Sequence, residues 1–333
     1  MRQLIALILL VLMIAPALYS QTATQDDDVV RFDTDVTNLP FTAIDKDRRF
    51  ITTLRAEDVR VLEDGVPQQV FTFQRETDRP LAIAFLIDVS QSQEYTLPDE
   101  KAAVRTFIEN VFRSSRDLVA IIPFTGLAYV EQEMTRDVLS VYKVLQRVEI
   151  ALPNYLGGGR PLTGIPTGPG LMAPPEEGTT AIWDAVALTS NNVLAKTPGL
   201  RRRAIVLLTD GYDTTSRLAI ADAVTSTLGA EAVVYVVGIG SKKFRGVDKD
   251  GLRDLAQRTG GRAFFPDKRF DLTAAFAEIE KELRTQYLIA YSSTNKRRDG
   301  SYRKVTIEIT NPDLRKEKLE LRHRPGYFAK PPA

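Results

Sequence analysis

Four runs of apolar residues constrain this chain more than any other feature. They are Leu81–Asp88 (LAIAFLID), Leu118–Phe124 (LVAIIPF), Ala204–Asp210 (AIVLLTD) and the stretch AVVYVVGIG that begins at Ala232. None alternates with polar residues, so each reads as a strand buried on both faces, as in a parallel sheet covered by helices. Helical stripes lie between them. Val104, Phe107, Ile108 and Val111 recur at the 3.6-residue period behind Pro98-Asp99-Glu100, a helix start. Further helices are expected near residues 136–148, from Ile182 to Val193, near 218–228, around Leu252 to Ala256, and from Leu272 to Leu283. Short strands are expected at Ala128–Glu131 and Arg262–Phe265. Apolar strands alternating with amphipathic helices predict an α/β domain over residues 79–285.

Both flanks of that region read differently. Val30, Phe32, Thr34 and Val36 alternate with polar residues, the period of a half-buried strand. One hairpin is expected across Asp45-Lys46-Asp47. A second is expected across Glu63-Asp64-Gly65, joining Val59–Leu62 to Val70–Phe73. Strands return at Gln286–Tyr291, Arg303–Ile309 and Leu319–Arg324, separated by the turn-rich segments Asn295–Gly300 and Asn311-Pro312-Asp313. Neither flank is large enough for a core of its own. Residues 29–78 and 286–328 are therefore expected to pair into one β-sandwich, with the α/β domain inserted between them.

The first residues have a different character again. Arg2 precedes an apolar run from Leu4 to Ala15, followed by Pro16 and small or polar residues. That is the pattern of a secretory signal peptide over residues 1–20, with cleavage near Ser20 or at Ala15-Pro16-Ala17. The run is shorter than the ~20 apolar residues of a membrane span, although an uncleaved anchor is the competing reading. The mature chain is expected to be exported, periplasmic or extracellular, with association to the envelope left open.

Composition then limits the chemistry. There are 44 Lys and Arg against 43 Asp and Glu, one histidine and no cysteine. Thiol nucleophiles, disulfides, iron–sulfur clusters and thiolate zinc sites are excluded. The lone His323 cannot supply paired imidazoles, and near-neutral charge argues against a general nucleic-acid binder. Any metal must rely on oxygen ligands.

Three segments fall where an open α/β sheet binds ligands, just past the carboxyl ends of its strands. Asp88-Val89-Ser90-Gln91-Ser92 follows the first apolar strand, Gly178-Thr179-Thr180 leads into a helix, and Thr209-Asp210-Gly211 ends the third apolar strand. Each alone is a common turn. Together, in this order, they resemble the von Willebrand factor type A domain with its metal-ion-dependent adhesion site, whose pattern is Asp-x-Ser-x-Ser, a distant Thr and a distant Asp. The matching residues are Asp88, Ser90, Ser92, Thr180 and Asp210. Thr179 is a rival for the Thr position. The Glu63-Asp64-Gly65 hairpin and the terminal Arg324-Pro325-Gly326-Tyr327-Phe328 are similar to exported bacterial A-domain proteins of Acidobacteria type.

The resemblance implies a doubly wound, mostly parallel six-stranded sheet of order 3-2-1-4-5-6, with the strands ending at Asp88 and Asp210 as central neighbours. It implies that Ser90, Ser92 and, in some states, Thr180 bind Mg²⁺ directly, while Asp88 and Asp210 act through coordinated waters. Mn²⁺ would fit similar oxygens. One position stays open for an Asp or Glu of a partner protein. The implied function is divalent-metal-dependent protein binding without turnover. Two alternatives are a structural envelope protein with a vestigial site and, less favoured, a phosphoester hydrolase with Asp88 as nucleophile. No general acid or catalytic lysine motif accompanies the latter.

Residues 151–178 hold seven Gly and six Pro, a composition that opposes regular structure, and they end beside Thr180. They read either as a partner-selecting flap or as a flexible insertion. Asp213 is expected in a turn or helix cap, and Trp183 and Phe107 in the core. Arg201-Arg202-Arg203 is expected in a solvated loop, and His323 at a surface or edge position.

Overall fold

The computed structural model describes residues 36–75, 79–151, 159–164, 179–241, 243–244, 246–267 and 269–329. The leader at 1–20, the alternating residues Val30 to Thr34 and most of 151–178 lie outside the described residues. The N-terminal flank forms β1 (Val36–Ile44), β2 (Val59–Glu63), β3 (Val66–Gln68) and β4 (Val70–Arg75). The α/β region begins with β5 (Leu81–Asp88), α1 (Leu97–Val111), β6 (Leu118–Phe124), β7 (Tyr129–Val130), β8 (Gln132–Thr135) and α2 (Val138–Arg147). It continues with β9 (Arg160–Pro161), α3 (Ile182–Thr189), β10 (Arg202–Thr209) and α4 (Ile220–Gly229). β11 (Ala232–Gly238), α5 (Asp250–Thr259), β12 (Ala263–Phe264) and α6 (Arg269–Thr285) complete it. The C-terminal flank forms β13 (Tyr287–Ser292), β14 (Tyr302–Ile309), α7 (Pro312–Lys316), β15 (Glu320–His323) and β16 (Gly326–Phe328). No helix among the described residues is long and apolar enough to cross a membrane.

The main sheet has six strands in the order β12-β11-β10-β5-β6-β8. All its pairings are parallel except that of the edge strand β8 with β6. Numbered along the domain, this is the expected order 3-2-1-4-5-6. The continuous apolar runs are needed because both faces are covered. Ile83, Phe85, Ile87, Val206 and Val237 pack on one face against α1, α2 and α6, through Val104, Phe107, Val144 and Ile279. Their sequence neighbours Ala84, Leu86, Leu207 and Val236 pack on the other against α3, α4 and α5, through Ile182, Val186, Leu228 and Leu255. Trp183 packs partly buried against this second core, and Phe107 lies within the first.

The two flanks interleave. One sheet has the order β15-β1-β13-β4 and the other β16-β14-β2-β3, so each sheet draws strands from both ends of the chain. β1 pairs antiparallel with β13, from Val36↔Ser292 to Phe41↔Tyr287. β2 pairs with β14, from Glu63↔Val305 to Val59↔Ile309. Leu39, Phe41, Tyr287 and Ile289 of one sheet meet Val61, Val305 and Ile307 of the other in a third core, which makes the pair a β-sandwich. Within it, the rings of Phe41 and Tyr287 stack at 5.1 Å.

Several local readings are corrected. The second hairpin returns on β3, where Glu63 pairs with Val66, rather than on Val70–Phe73. Asp64 and Gly65 both have positive φ (49° and 83°), the two-residue turn that demands immediate pairing. β4 instead crosses to the other sheet and pairs with β13. Within the Gly/Pro-rich segment, Arg160–Pro161 pairs with Tyr129–Val130 despite the composition. Arg201-Arg202-Arg203 is no solvated loop, because Arg202 and Arg203 begin β10 and are half-buried. Arg203 donates to the carbonyls of Ala230 and Thr197, and Arg202 to that of Leu283, so these side chains cap helix ends. His323 is on the edge strand β15, yet its ring is packed. Nδ1 sits 2.7 Å from the Arg324 carbonyl, and burial lowers its pKa.

Candidate metal site

Asp88 and Asp210 are brought together by the strand order. β5 and β10 are neighbours, with Leu208 in register with Ile87, and each carboxylate follows at the carboxyl end of its strand. Asp88 is fully buried. Its Oδ1 accepts from the Ser90 amide at 2.9 Å, and its Oδ2 accepts from the Thr209 hydroxyl at 2.6 Å. Burial pushes its pKa up to about 6. The hydrogen bonds from Ser90 and Thr209 oppose that rise, and the Asp210 charge adds to it. Two carboxylates therefore stand close together in a low-dielectric corner, where each opposes the ionisation of the other.

The hydroxyls are gathered by short-range geometry. Ser90 starts a single 3₁₀ turn over Gln91–Gln93, which folds Ser92 back so that the two Oγ atoms lie 3.0 Å apart. Thr180 is held from two sides. Its amide donates to Thr214 Oγ1 at 2.7 Å, and its carbonyl accepts from the Thr214 and Thr215 amides. The next residue, Ala181, donates to Thr125 O at 2.8 Å, just past the end of β6, whose Phe124 is in register with Asp88. The segments after β5, β6 and β10 and the start of α3 therefore meet at one edge of the sheet. The Thr179 hydroxyl is buried with no hydrogen-bond partner among the described residues.

Gly211 fixes the exit from Asp210. Its φ is +87°, and a Cβ there would stand 2.4 Å from the Asp248 carbonyl. The amide of Asp248 in turn donates to Asp210 O at 2.8 Å. Asp213 is a helix cap, as expected: its Oδ1 accepts from the Ile182 amide at 2.7 Å and from Ser216 Oγ.

Two residues at this edge escaped the sequence reading. Gln93 is fully buried, and in the orientation that satisfies its amide it accepts from the Asp210 N–H at 3.1 Å and donates to Glu100 Oε1 at 3.1 Å. Glu100 is also fully buried. Burial lifts its pKa to about 8 against a hydrogen bond from Thr96, with the charges of Asp88 and Asp210 adding to the rise, so it carries a proton at neutral pH. A signal existed. Glu100 falls on the same helical stripe as Val104, Phe107, Ile108 and Val111, and an acid on an apolar stripe points inward.

Three hydroxyls and two carboxylates, all oxygen and with only two charges, form a donor set that fits a hard divalent cation. Among the described residues no group of three or more His, Asp or Glu side chains could hold a metal ion.

The fold and this edge define a doubly wound α/β domain with a cluster of polar side chains at the carboxyl ends of its central strands. Residues 171–282 match the family model of the von Willebrand factor type A domain. The matched stretch contains Thr180 and Asp210 and begins after Asp88, Ser90 and Ser92. A search of curated proteins found no match. Among solved structures, proximal thread matrix protein 1 from the mussel byssus is 16% identical, with a TM-score of 0.48 over 63% of this chain and 50% of that one. The chain thus spans about half the length of the mussel protein. Another structure of that protein has a zinc-occupied MIDAS motif. A von Willebrand factor type A protein from Catenulispora acidiphila is 13% identical, with a TM-score of 0.49 over 90% of this chain and 74% of that one. The conserved hypothetical protein BatB from Bacteroides thetaiotaomicron is 19% identical, with a TM-score of 0.44 over 61% and 98%.

Proposed function

We propose that the protein is an exported, divalent-metal-dependent protein-binding module of the adhesion type, without catalytic turnover. The domain runs over residues 79–285, framed by 29–78 and 286–328. The observation that carries the reading is the fully buried Asp88 beside Asp210 at the end of two neighbouring strands, next to the paired hydroxyls of Ser90 and Ser92. Ser90, Ser92 and Thr180 would hold Mg²⁺ through their hydroxyls, and Asp88 and Asp210 would hold it through waters. Mn²⁺ suits the same oxygens. The bound ion supplies an electrophilic position open to one further carboxylate.

The chain's own residues perform the rest. Thr209 and the Ser90 amide keep the Asp88 carboxylate oriented, and Gly211 and Asp248 set the direction of the Asp210 segment. Neutral direct donors leave the ion's charge only partly offset, which favours an Asp or Glu presented by a partner protein. Export rests on the leader at residues 1–20. The test is capture from the native envelope with the full mature chain, in Mg²⁺ and in chelator. A partner retained only in Mg²⁺, and lost with Asp88→Ala, supports the reading. Capture indifferent to both refutes it.

A further inference from the structure

Three basic runs, far apart in sequence, meet at the end of the main sheet opposite Asp88. Arg201-Arg202-Arg203 leads into β10, Lys296-Arg297-Arg298 follows β13, and Arg322-His323-Arg324 closes β15. A cleft of about 430 Å³ opens there between the A-type domain and the β-sandwich. Among the described residues its wall includes six cationic side chains, Arg203, Lys296, Arg297, Arg298, Arg303 (paired with Glu63) and Arg324, and a single carboxylate, Glu231. Helix capping accounts for Arg203, whose guanidinium reaches two carbonyls. It does not account for Lys296 and Arg297, which are exposed on the rim.

The wall is also short of acceptors. Arg324 is only 8% exposed, and burial lowers its pKa against the pull of Glu231. Its Nη2 donates to Asn38 O at 2.8 Å, but its Nε has no partner among the described residues. The Nε atoms of Arg203 and Arg303 are in the same position. A buried donor left without an acceptor is costly, so this wall is arranged for an anion. Beside the cations lies an apolar surface of Val36, Leu228, Tyr327 and Phe328. The volume is that of a small-molecule site and too small for a folded partner.

We propose that this cleft binds a small organic phosphate, its dianionic head against Arg324, Arg203 and the Lys296–Arg297 rim and its apolar body against Tyr327 and Leu228. Guanidinium forks match phosphate oxygens two at a time. With Arg303 paired to Glu63, five cations remain against one carboxylate, an excess that calls for more than the single charge of a carboxylate or sulfonate. The site is separate from the Asp88 edge and does not rest on its metal chemistry.

The test is fluorescence titration of the full chain with 1-naphthyl phosphate, with inorganic phosphate and 1-naphthalenesulfonate as comparisons. Saturable binding is expected, weaker for both comparison anions. The double substitution Lys296→Glu/Arg297→Glu touches only exposed side chains and is expected to weaken binding roughly tenfold or more. Arg324→Gln should do the same where circular dichroism shows the fold intact, and the exposed pair decides the matter where it does not. Asp88→Ala should leave this binding unchanged. Absence of saturable binding, equal affinity for the sulfonate, or indifference to Lys296→Glu/Arg297→Glu overturns the proposal.

Discussion

Replacing Glu63 with alanine removes the point at which the two ends of the chain are pinned together. Glu63 closes β2 and is only 2% exposed. Its carboxylate accepts from four side chains, all more than 200 residues later: Tyr291 and Tyr327 hydroxyls at 2.9 Å, Ser293 Oγ, and Arg303 Nη1 at 3.4 Å. Arg303 is itself only 4% exposed. Alanine would leave the buried Arg303 guanidinium without its carboxylate partner, and the buried Tyr291 and Ser293 and half-buried Tyr327 hydroxyls without their acceptor. Removing one partner of a buried ion pair costs about 3–5 kcal/mol, against the roughly 5–15 kcal/mol that stabilises an ordinary domain. Glu63→Gln keeps one carbonyl acceptor and should cost less, about 2 kcal/mol. Equilibrium urea unfolding followed by far-ultraviolet circular dichroism measures both. A loss below about 1 kcal/mol for Glu63→Ala would show that the four contacts do not hold the sandwich together.

Glu282, on α6, lies between Arg322 and Arg262 at 3.9 and 4.0 Å, yet burial outweighs both and lifts its pKa from 4.5 to about 7. A raised carboxyl pKa contributes stability that is full below pH 4.5 and is lost as pH rises through 7. The loss is on the order of 3 kcal/mol. Glu282→Gln should flatten that slope and leave the protein at least as stable as wild type at pH 8. Marked destabilisation by Gln at pH 8 would mean that the ionised pair with the arginines dominates. Gly211→Ala places a Cβ 2.4 Å from Asp248 O at a φ of +87°. It should cost about 2–3 kcal/mol in urea unfolding and lower Mg²⁺ affinity by displacing Asp210; unchanged values for both would refute the role given to this turn.

The central strands were legible because burial on both faces leaves no room for polar alternation. Ile83 and Ala84, or Val206 and Leu207, point to opposite cores, and the sequence must be apolar at every position. The site edge was legible for a related reason, since Asp88 and Asp210 interrupt apolar runs where those runs end. The flanks were harder to read. Which strand pairs with which is decided by contacts such as Phe41 with Tyr287, and no local period encodes a partner so distant. β16 was missed because Arg324-Pro325-Gly326 reads as a strand breaker. Gly326 is there for close approach, since a Cβ would meet Arg303 O at 2.2 Å. Gln93 was not legible because a polar residue near a helix start is ordinarily solvated and only the tertiary fold closes over it, whereas Glu100 was marked by its place on the apolar stripe of α1.

The most direct measurement is isothermal calorimetry of Mg²⁺ into the mature chain, wild type and Asp88→Ala, with circular dichroism to show that both are folded. Saturable binding of one ion by wild type, abolished in Asp88→Ala, is the outcome expected if Asp88, Ser90, Ser92, Thr180 and Asp210 form one metal site. Wild-type protein that takes up no Mg²⁺ or Mn²⁺, or Asp88→Ala that binds as well as wild type, would contradict it.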